Sequence, residues 1–359
     1  MSRTRLKPLH DQVVVVTGAS SGIGLATARK AAKAGARLFL ISRDGDQLAQ
    51  VAAELREGGA EAEHAQADVA DRPALEAAFD AAVARFGRID TVVSNAGAAI
   101  YGDALSTPRD EHERLFQTNY WGAVNACELG VARLREGGGA LIVVGSLASD
   151  MAAPGMGVYV ASKHAVKGYL DTVRLELNRD KVPVSVTLIK PSGISTGIDE
   201  HAAEHLEGES KIPPPLYAPE VVAAAILRAA VRPFREITVG GAGQAQIMFA
   251  THFPGLFARY AGLMTPVVHD PSKPETARDN LFAPGENGSE HSRREGAGKP
   301  FSVYTAATTH PGLAAAAALA AGLAVAGAIG VAGARRRRPA SWVEARSRDL
   351  ERLGRRLHR

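Results

Sequence analysis

Along the first 240 positions the apolar residues fall into two alternating rhythms. Short unbroken runs of aliphatic residues are each followed by a longer stretch in which apolar residues return every three or four positions. A bounded apolar run of five or six residues fits a strand buried on both faces, and the 3.6-residue period fits an amphipathic helix. The runs predict strands at 13–17, 37–42, 61–67, 89–94, 140–145, 184–189 and 236–239. Helices are predicted up to about Ala34, then over 44–56, 72–86, 110–135, 157–180 and 219–230. Strand and helix in alternation predict an α/β fold: a doubly wound parallel sheet with helices on both faces.

The rhythm breaks after Gly240. Residues 241–269 are apolar and aromatic, interrupted by Pro254-Gly255, and predict an apolar helical extension. Residues 270–311 are rich in Pro, Gly, Ser and charge and read as a linker with little core of its own. Residues 312–334 carry no polar or charged side chain, and Arg335–Arg338 close that run abruptly. The expected division is a main domain over 11–240, the extension 241–269, the linker 270–311, a candidate membrane helix 312–334 and a basic tail 335–359.

The 359 residues are 46% hydrophobic and 22% charged, ordinary for a globular chain with a large core. Cys127 is the only cysteine, so no disulfide forms within the chain, which suits a reducing compartment. The basic N-terminal residues have no apolar run behind them and do not read as a secretory signal. The net charge of +4 misleads. The tail 335–359 alone sums to +7, leaving −3 for residues 1–334, so the body offers no electrostatic case for nucleic acid.

The segment 312–334 is long enough to span a bilayer, but twelve of its residues are alanine and five are glycine. Leucine-like residues contribute only about −0.3 to −0.6 kcal/mol each, so insertion is marginal. The arginines after it should stay on the cytoplasmic side, where the main domain is also expected, and a single span would separate the two. A second contact through 244–268, export of the arginines against the rule, or a helix lying at the surface resolves the conflict. Membrane association of a cytoplasmic domain is the expectation, with binding of the tail to anionic lipid as a further route.

Thr17-Gly18-Ala19-Ser20-Ser21-Gly22-Ile23-Gly24 falls between the first strand and the first helix. Glycines there permit a tight turn, close approach of the backbone to a pyrophosphate and close packing of helix on strand. The helix N-terminus adds free N–H groups and partial positive charge. The spacing is G-x-x-x-G-x-G. At the end of the second strand an acid would bind a ribose 2′-hydroxyl and a base a 2′-phosphate. Ser42-Arg43 stands there, so NADP(H) is preferred over NAD(H), with Ser21 and Ser42 as supporting donors. The alternative is a solvated Arg43 with Asp44 serving NAD.

Tyr159-Val-Ala-Ser-Lys163 opens a predicted helix, and positions i and i+4 share a face. A phenol near pKa 10 must fall about 3 units, about 4 kcal/mol, for acid–base work near neutrality. A neighbouring ammonium and a positive nicotinamide ring can supply that. Ser146 follows the fifth strand, where its hydroxyl can hold a substrate oxygen near the phenol. Asn119, in Thr118-Asn119-Tyr120, is either a packing residue or the holder of a water near Lys163.

With these motifs in order, residues 11–240 resemble the short-chain dehydrogenase/reductase family. The resemblance rests on the glycine-rich turn, Asp68-Val69, Asn95-Ala96-Gly97, Asn119, Ser146, Tyr159-x-x-x-Lys163 and Pro191 through Thr196. It implies a Rossmann-like fold and a catalytic set of Asn119, Ser146, Tyr159 and Lys163. It implies cofactor contacts from Gly18, Ser20, Ser21, Gly22, Ile23, Gly24, Ser42 and Arg43, with Asp68 and Val69 beside the adenine. Asn95, Ala96 and Gly97 would line the cofactor, Lys163 would also bind the nicotinamide ribose, and Pro191, Ile194 and Thr196 would sit at the carboxamide. Where the family usually has Pro-Gly, this chain has Pro191-Ser192-Gly193. Dimers or tetramers are also implied.

Residues 197–217 are expected to cover the active site. His201 and His205 stand four apart, but no third ligand is evident, and they read as solvated helix residues rather than a metal site. Ala98, Ala99, Ile100, Tyr101, Met151 and Met156 suggest an apolar pocket wall and a lipophilic ketone or alcohol. The expectation is an NADP-dependent carbonyl reductase or alcohol dehydrogenase. The alternatives are an idle NADP-binding scaffold or sensor at a membrane, and an epimerase or dehydratase on the same fold.

Overall fold

The computed structural model describes residues 5–262, 269–270, 272–273, 279–285, 288–294, 296–319 and 341–356. Seven strands form the central sheet: β1 (Val13–Thr17), β2 (Arg37–Ser42), β3 (Ala62–Gln66), β4 (Thr91–Ser94), β5 (Gly139–Val144), β6 (Val184–Pro191) and β7 (Glu236–Val239). Their order is β7-β6-β5-β4-β1-β2-β3, and every pair is parallel. β1, β5 and β6 are buried at every position. That explains why they read as unbroken apolar runs: helices cover both faces.

The covering helices are α1 (Gly22–Lys33), α2 (Gly45–Glu57), α3 (Arg72–Phe86), α4 (Arg109–Phe116), α5 (Gly122–Leu134), α6 (Gly157–Arg179) and α7 (Pro219–Val231). Two apolar layers result. One holds Val14, Val16, Leu25 and Leu38 with α7 residues such as Val222 and Ile226. The other holds Val13, Val15 and Phe79 with Cys127 and Leu170. Neighbouring residues of β1 thus serve opposite layers, as the two-residue strand period requires. Burial pushes the Cys127 thiol up to about 12, which makes it an inert core group.

The helix predicted over 110–135 is divided. Between α4 and α5, residues Gln117–Trp121 form a π-helical turn. After β7 come α8 (Gly241–His252) and α9 (Pro254–Ala261), split at Phe253 ahead of Pro254. Residues 1–309 form one compact unit and 310–359 another. The described part of 279–309 therefore belongs to the body, although its composition reads as a linker. It carries α10 (Val303–Thr309) and many hydrogen bonds to distant residues. Among the described residues no helix is long and apolar enough to cross a membrane. Residues 320–334 of the candidate membrane segment, and Arg335–Arg338, lie outside the described residues.

Candidate active site

The glycine-rich turn leaves β1 at Thr17 and enters α1 at Gly22. Gly18 has φ +65° and Gly22 φ +53°, both in the left-handed region. Gly24 meets a different demand. A Cβ there would lie 2.0 Å from the Gly18 carbonyl oxygen, so α1 packs directly on the turn. Asn95, just past β4, locks the arrangement. Its amide donates to the Thr17 and Gly18 carbonyls at 3.1 Å each, and Thr17 Oγ1 accepts from the Asn95 and Ala96 N–H groups at 3.0 and 3.2 Å. Ser20 and Ser42 share a hydroxyl hydrogen bond of 2.9 Å, tying the turn to β2.

Tyr159 and Lys163 lie one turn apart on α6, both buried. Lys163 Nζ sits 5.6 Å from the centre of the Tyr159 ring and donates to the Val144 carbonyl at 3.2 Å. Ser146 caps the short 3-10 turn Leu147–Ser149, accepting from the Ala148 N–H at 3.1 Å. That cap holds the serine at the cleft beside Tyr159, whose pKa the serine lowers. Burial drives both titratable groups towards neutrality. It pushes the Tyr159 phenol up, against a smaller lowering by the Ser146 hydrogen bond. It pulls Lys163 from 10.5 down to about 8. The acidified phenol expected with an ammonium and an oxidised nicotinamide beside it is thus not what the protein alone produces, because desolvation outweighs the lowering by Ser146.

Asn119 belongs to the π-helical turn. Its side-chain oxygen accepts from the Ala98 N–H at 2.9 Å, and its amide donates to the Ala98 carbonyl at 3.0 Å and to Ser162 Oγ at 3.1 Å. The side chain is a brace joining the loop after β4 to α6. A Cβ on Gly97 would come 3.3 Å from its oxygen and 3.6 Å from Lys163 Nζ, so the brace lies beside the ammonium.

All the residues expected at the cofactor except Gly24 border one cleft of about 380 Å³, together with Ser146. Gly24 and Asn119 stand behind its wall and shape it. Thr196, on the far side, lies 3.5 Å from where a Gly22 Cβ would be, so the loop after β6 faces the glycine-rich turn. Ser192, the departure from Pro-Gly, has a buried hydroxyl without a hydrogen-bond partner. The apolar wall also forms: Ala98, Ala99, Ile100 and Tyr101 cluster with Tyr159 and Leu115, and Met156 packs against them.

Three features were not legible beforehand. Asp44 caps α2, accepting from the Gln47 N–H at 3.0 Å. His201 and His205 are not on a helix, and His205 lies 2.6 Å from Glu111. Arg114, which no motif singled out, pairs with Asp68 at 2.6 Å and donates to the Leu281 carbonyl at 2.9 Å. Arg43 donates to the Asn280 and Leu281 carbonyls at 2.5 and 3.1 Å. The segment beyond residue 278 therefore borders the cleft, contributing Asn280, Pro284, Gly285, Ser289, His291 and Arg293.

A seven-stranded parallel sheet of this order, with a glycine-rich turn after its first strand and a buried Tyr-x-x-x-Lys beside the same cleft, defines a nicotinamide-dependent oxidoreductase. The sequence profile of the short chain dehydrogenase family matches residues 12–207. The chain is 36% identical over 320 residues, 88% of its length and 90% of the relative's, to a Bacillus subtilis protein named uncharacterized oxidoreductase YxnA. A continuous stretch of that length takes in residues 279–302, well beyond 207. A short chain dehydrogenase/reductase from Burkholderia phymatum, solved in complex with NAD, superposes with a TM-score of 0.63 at 25% identity, covering 70% of this chain and 96% of that one. An alcohol dehydrogenase from Thermococcus sibiricus, complexed with 5-hydroxy-NADP, gives 0.57 at 26% identity, covering 63% and 95%. The chain belongs to the short-chain dehydrogenase/reductase family. It is an enzyme acting on CH–OH donors with a nicotinamide cofactor and a small-molecule substrate.

Proposed function

We propose that this protein interconverts a lipophilic carbonyl and its secondary alcohol with NADP(H), using Tyr159 as the proton-transfer group. One observation carries the reading. The buried Tyr159 ring has Lys163 Nζ 5.6 Å from its centre and shares with Ser146 the cleft that the glycine-rich turn also borders. The bound nicotinamide supplies or accepts the hydride. In reduction, Ser146 holds the substrate oxygen by a hydrogen bond, and the Tyr159 O–H gives that oxygen its proton. Lys163 restores the proton to the phenolate, and Asn119 keeps the loop after β4 in register with α6. Oxidation runs the same path in reverse. The cleft fits a dinucleotide because Gly18 and Gly22 take the left-handed φ values of a tight turn and Gly24 lets the N-terminus of α1 pack directly on it.

Two observations support NADP(H) over NAD(H). Arg43 sits at the end of β2 on the cleft, and the Asp44 carboxylate is engaged in capping α2. The apolar wall around Tyr101, Leu115 and Tyr159 supports a lipophilic substrate. A membrane contact through residues 312–334 is the further part of the proposal and rests on that apolar run and the arginines that follow it. The test is NADPH consumption across a panel of ketones, followed by Tyr159→Phe on the best substrate. Turnover is expected to fall by about 10²–10⁴-fold with NADPH binding retained. Unchanged turnover would remove Tyr159 from the chemistry.

A further inference from the structure

Ser146 and the pair Tyr159 and Lys163 stand on different elements, so their spacing depends on what ties those elements together. Ser146 opens the 3-10 turn Leu147–Ser149, and its N–H donates to Ser149 Oγ at 3.3 Å. The Asp150 N–H closes the turn by donating to the Leu147 carbonyl at 2.9 Å. Ser146 on one side of Asp150, and Met151 to Pro154 on the other, border the cleft, while Asp150 itself lies off it.

The Asp150 carboxylate sits between two ammonium groups. One oxygen accepts from Lys167 of α6, and the other from Lys190 of β6 at 2.6 Å. Lys167 follows Lys163 by one helical turn. Lys190 also donates to Glu236, the first residue of β7, at 2.6 Å. The side chains of Lys190 and Asp150 are only 8% and 9% exposed, and the charges of the four groups cancel. Burial alone would raise the Asp150 carboxyl, but the hydrogen bonds from Lys167 and Lys190 outweigh it and hold it below its ordinary value. The group is therefore ionised at neutral pH. Desolvation offsets most of the attraction within a buried ion pair, so stability is a weak reason for such a cluster. What it supplies is geometry, because charge-assisted hydrogen bonds are short and directional. A carboxylate gripped from two sides holds both partners in register.

We propose that Asp150 is a positioning residue for the reaction: its two ion pairs clamp the turn that carries Ser146 to the helix that carries Tyr159 and Lys163. The clamp fixes the separation of the two hydroxyls while touching neither substrate nor cofactor. The inference rests on the reading of Ser146 and Tyr159 as the groups that hold and protonate the substrate oxygen.

Kinetics of the full-length protein, with NADPH affinity titrated by fluorescence, test this. Asp150→Asn keeps the shape of the side chain and removes its charge. It is expected to lower kcat for carbonyl reduction about tenfold, since a displacement of about 1 Å can cost about 100-fold in rate. NADPH affinity is expected to stay within about twofold of the wild type, because the clamp lies off the cleft. In a Ser146→Ala background the same substitution is expected to change kcat by less than about twofold, because the clamp acts through that serine. Lys167→Gln cuts the tie to α6 alone, at a more exposed side chain. It is expected to repeat these results, and it decides the matter if Asp150→Asn does not fold. Wild-type kcat in either variant, losses that multiply with that of Ser146→Ala, or NADPH affinity that falls as far as kcat overturns the clamp. Full turnover in both Ser146→Ala and Tyr159→Phe overturns the reading of the chemistry, and the clamp with it.

Discussion

At the scale of single residues, the pair Tyr159 and Lys163 shows what burial does to a proton relay. The ammonium can be charged or neutral near the working pH because desolvation brings it to about 8. Below that value Lys163 is protonated and can resupply the phenol; above it, the proton is gone. The rate of carbonyl reduction at saturating cofactor is therefore expected to be flat below pH 8 and to fall above it, with oxidation rising over the same interval. A pH–rate profile checks this, and a flat reduction rate up to pH 10 would take Lys163 out of the relay. The same shift bears on stability. The folded pKa lies below the unfolded value of 10.5, so the unfolded chain holds the proton more tightly between about 8 and 10.5, and stability rises with pH across that window. At neutral pH the buried charge costs about 3 kcal/mol, against about 1 kcal/mol from its hydrogen bond to Val144. Lys163→Met should therefore lose activity yet melt at or above the wild-type temperature at pH 7. Arg43 offers a separate test. Arg43→Ala is expected to raise the KM for NADPH by at least tenfold and that for NADH far less; equal effects would remove the case for a 2′-phosphate.

At the scale of elements, what could be read in advance follows from where each element gets its stability. β1, β5 and β6 were legible because burial on both faces leaves no position for a polar residue. The Tyr159 and Lys163 pairing was legible because helix geometry alone sets it. The π-helical turn at Gln117–Trp121 was not, since one extra residue per turn shifts the apolar face without interrupting it. A packing role for Asn119 was one of two readings, but its partners were hidden because the three hydrogen bonds run to Ala98 and Ser162, far along the chain. The glycine-rich turn was read as a phosphate cradle, but the close contact of Gly24 with Gly18 appears only in three dimensions. Gly24→Ala must push α1 off the turn, because a Cβ would sit 2.0 Å from a backbone oxygen. Dinucleotide affinity is expected to fall at least tenfold, measured by titration of NADPH fluorescence. Unaltered affinity would mean that the cofactor does not rest on this turn.

At the scale of the whole molecule, the body was legible to residue 240 and obscure beyond it. Residues 270–311 read as a linker because the bonds of their described part go to Gly22, Arg29, Arg43 and Glu200, and such pairings leave no periodicity in the sequence. The part up to Thr309 does belong to the compact unit that ends there. This makes residues 1–309 the natural truncation for locating a membrane contact. Two regions compete for it. The apolar run 312–334 and the +7 tail are lost in the truncation, whereas α8 and α9 stay, with Phe253, Leu256 and Tyr260 about half exposed. A scattered exposed apolar residue needs no explanation, but three on α9 and the cap that precedes it form a patch of the kind that meets a membrane or another protein. The apolar run has the greater length and the basic residues that favour anionic headgroups. Full-length protein is therefore expected to float with vesicles containing phosphatidylserine in a density gradient, and residues 1–309 to remain at the bottom. Flotation of both would move the contact to α8 and α9. Flotation of neither would leave the protein with no membrane role.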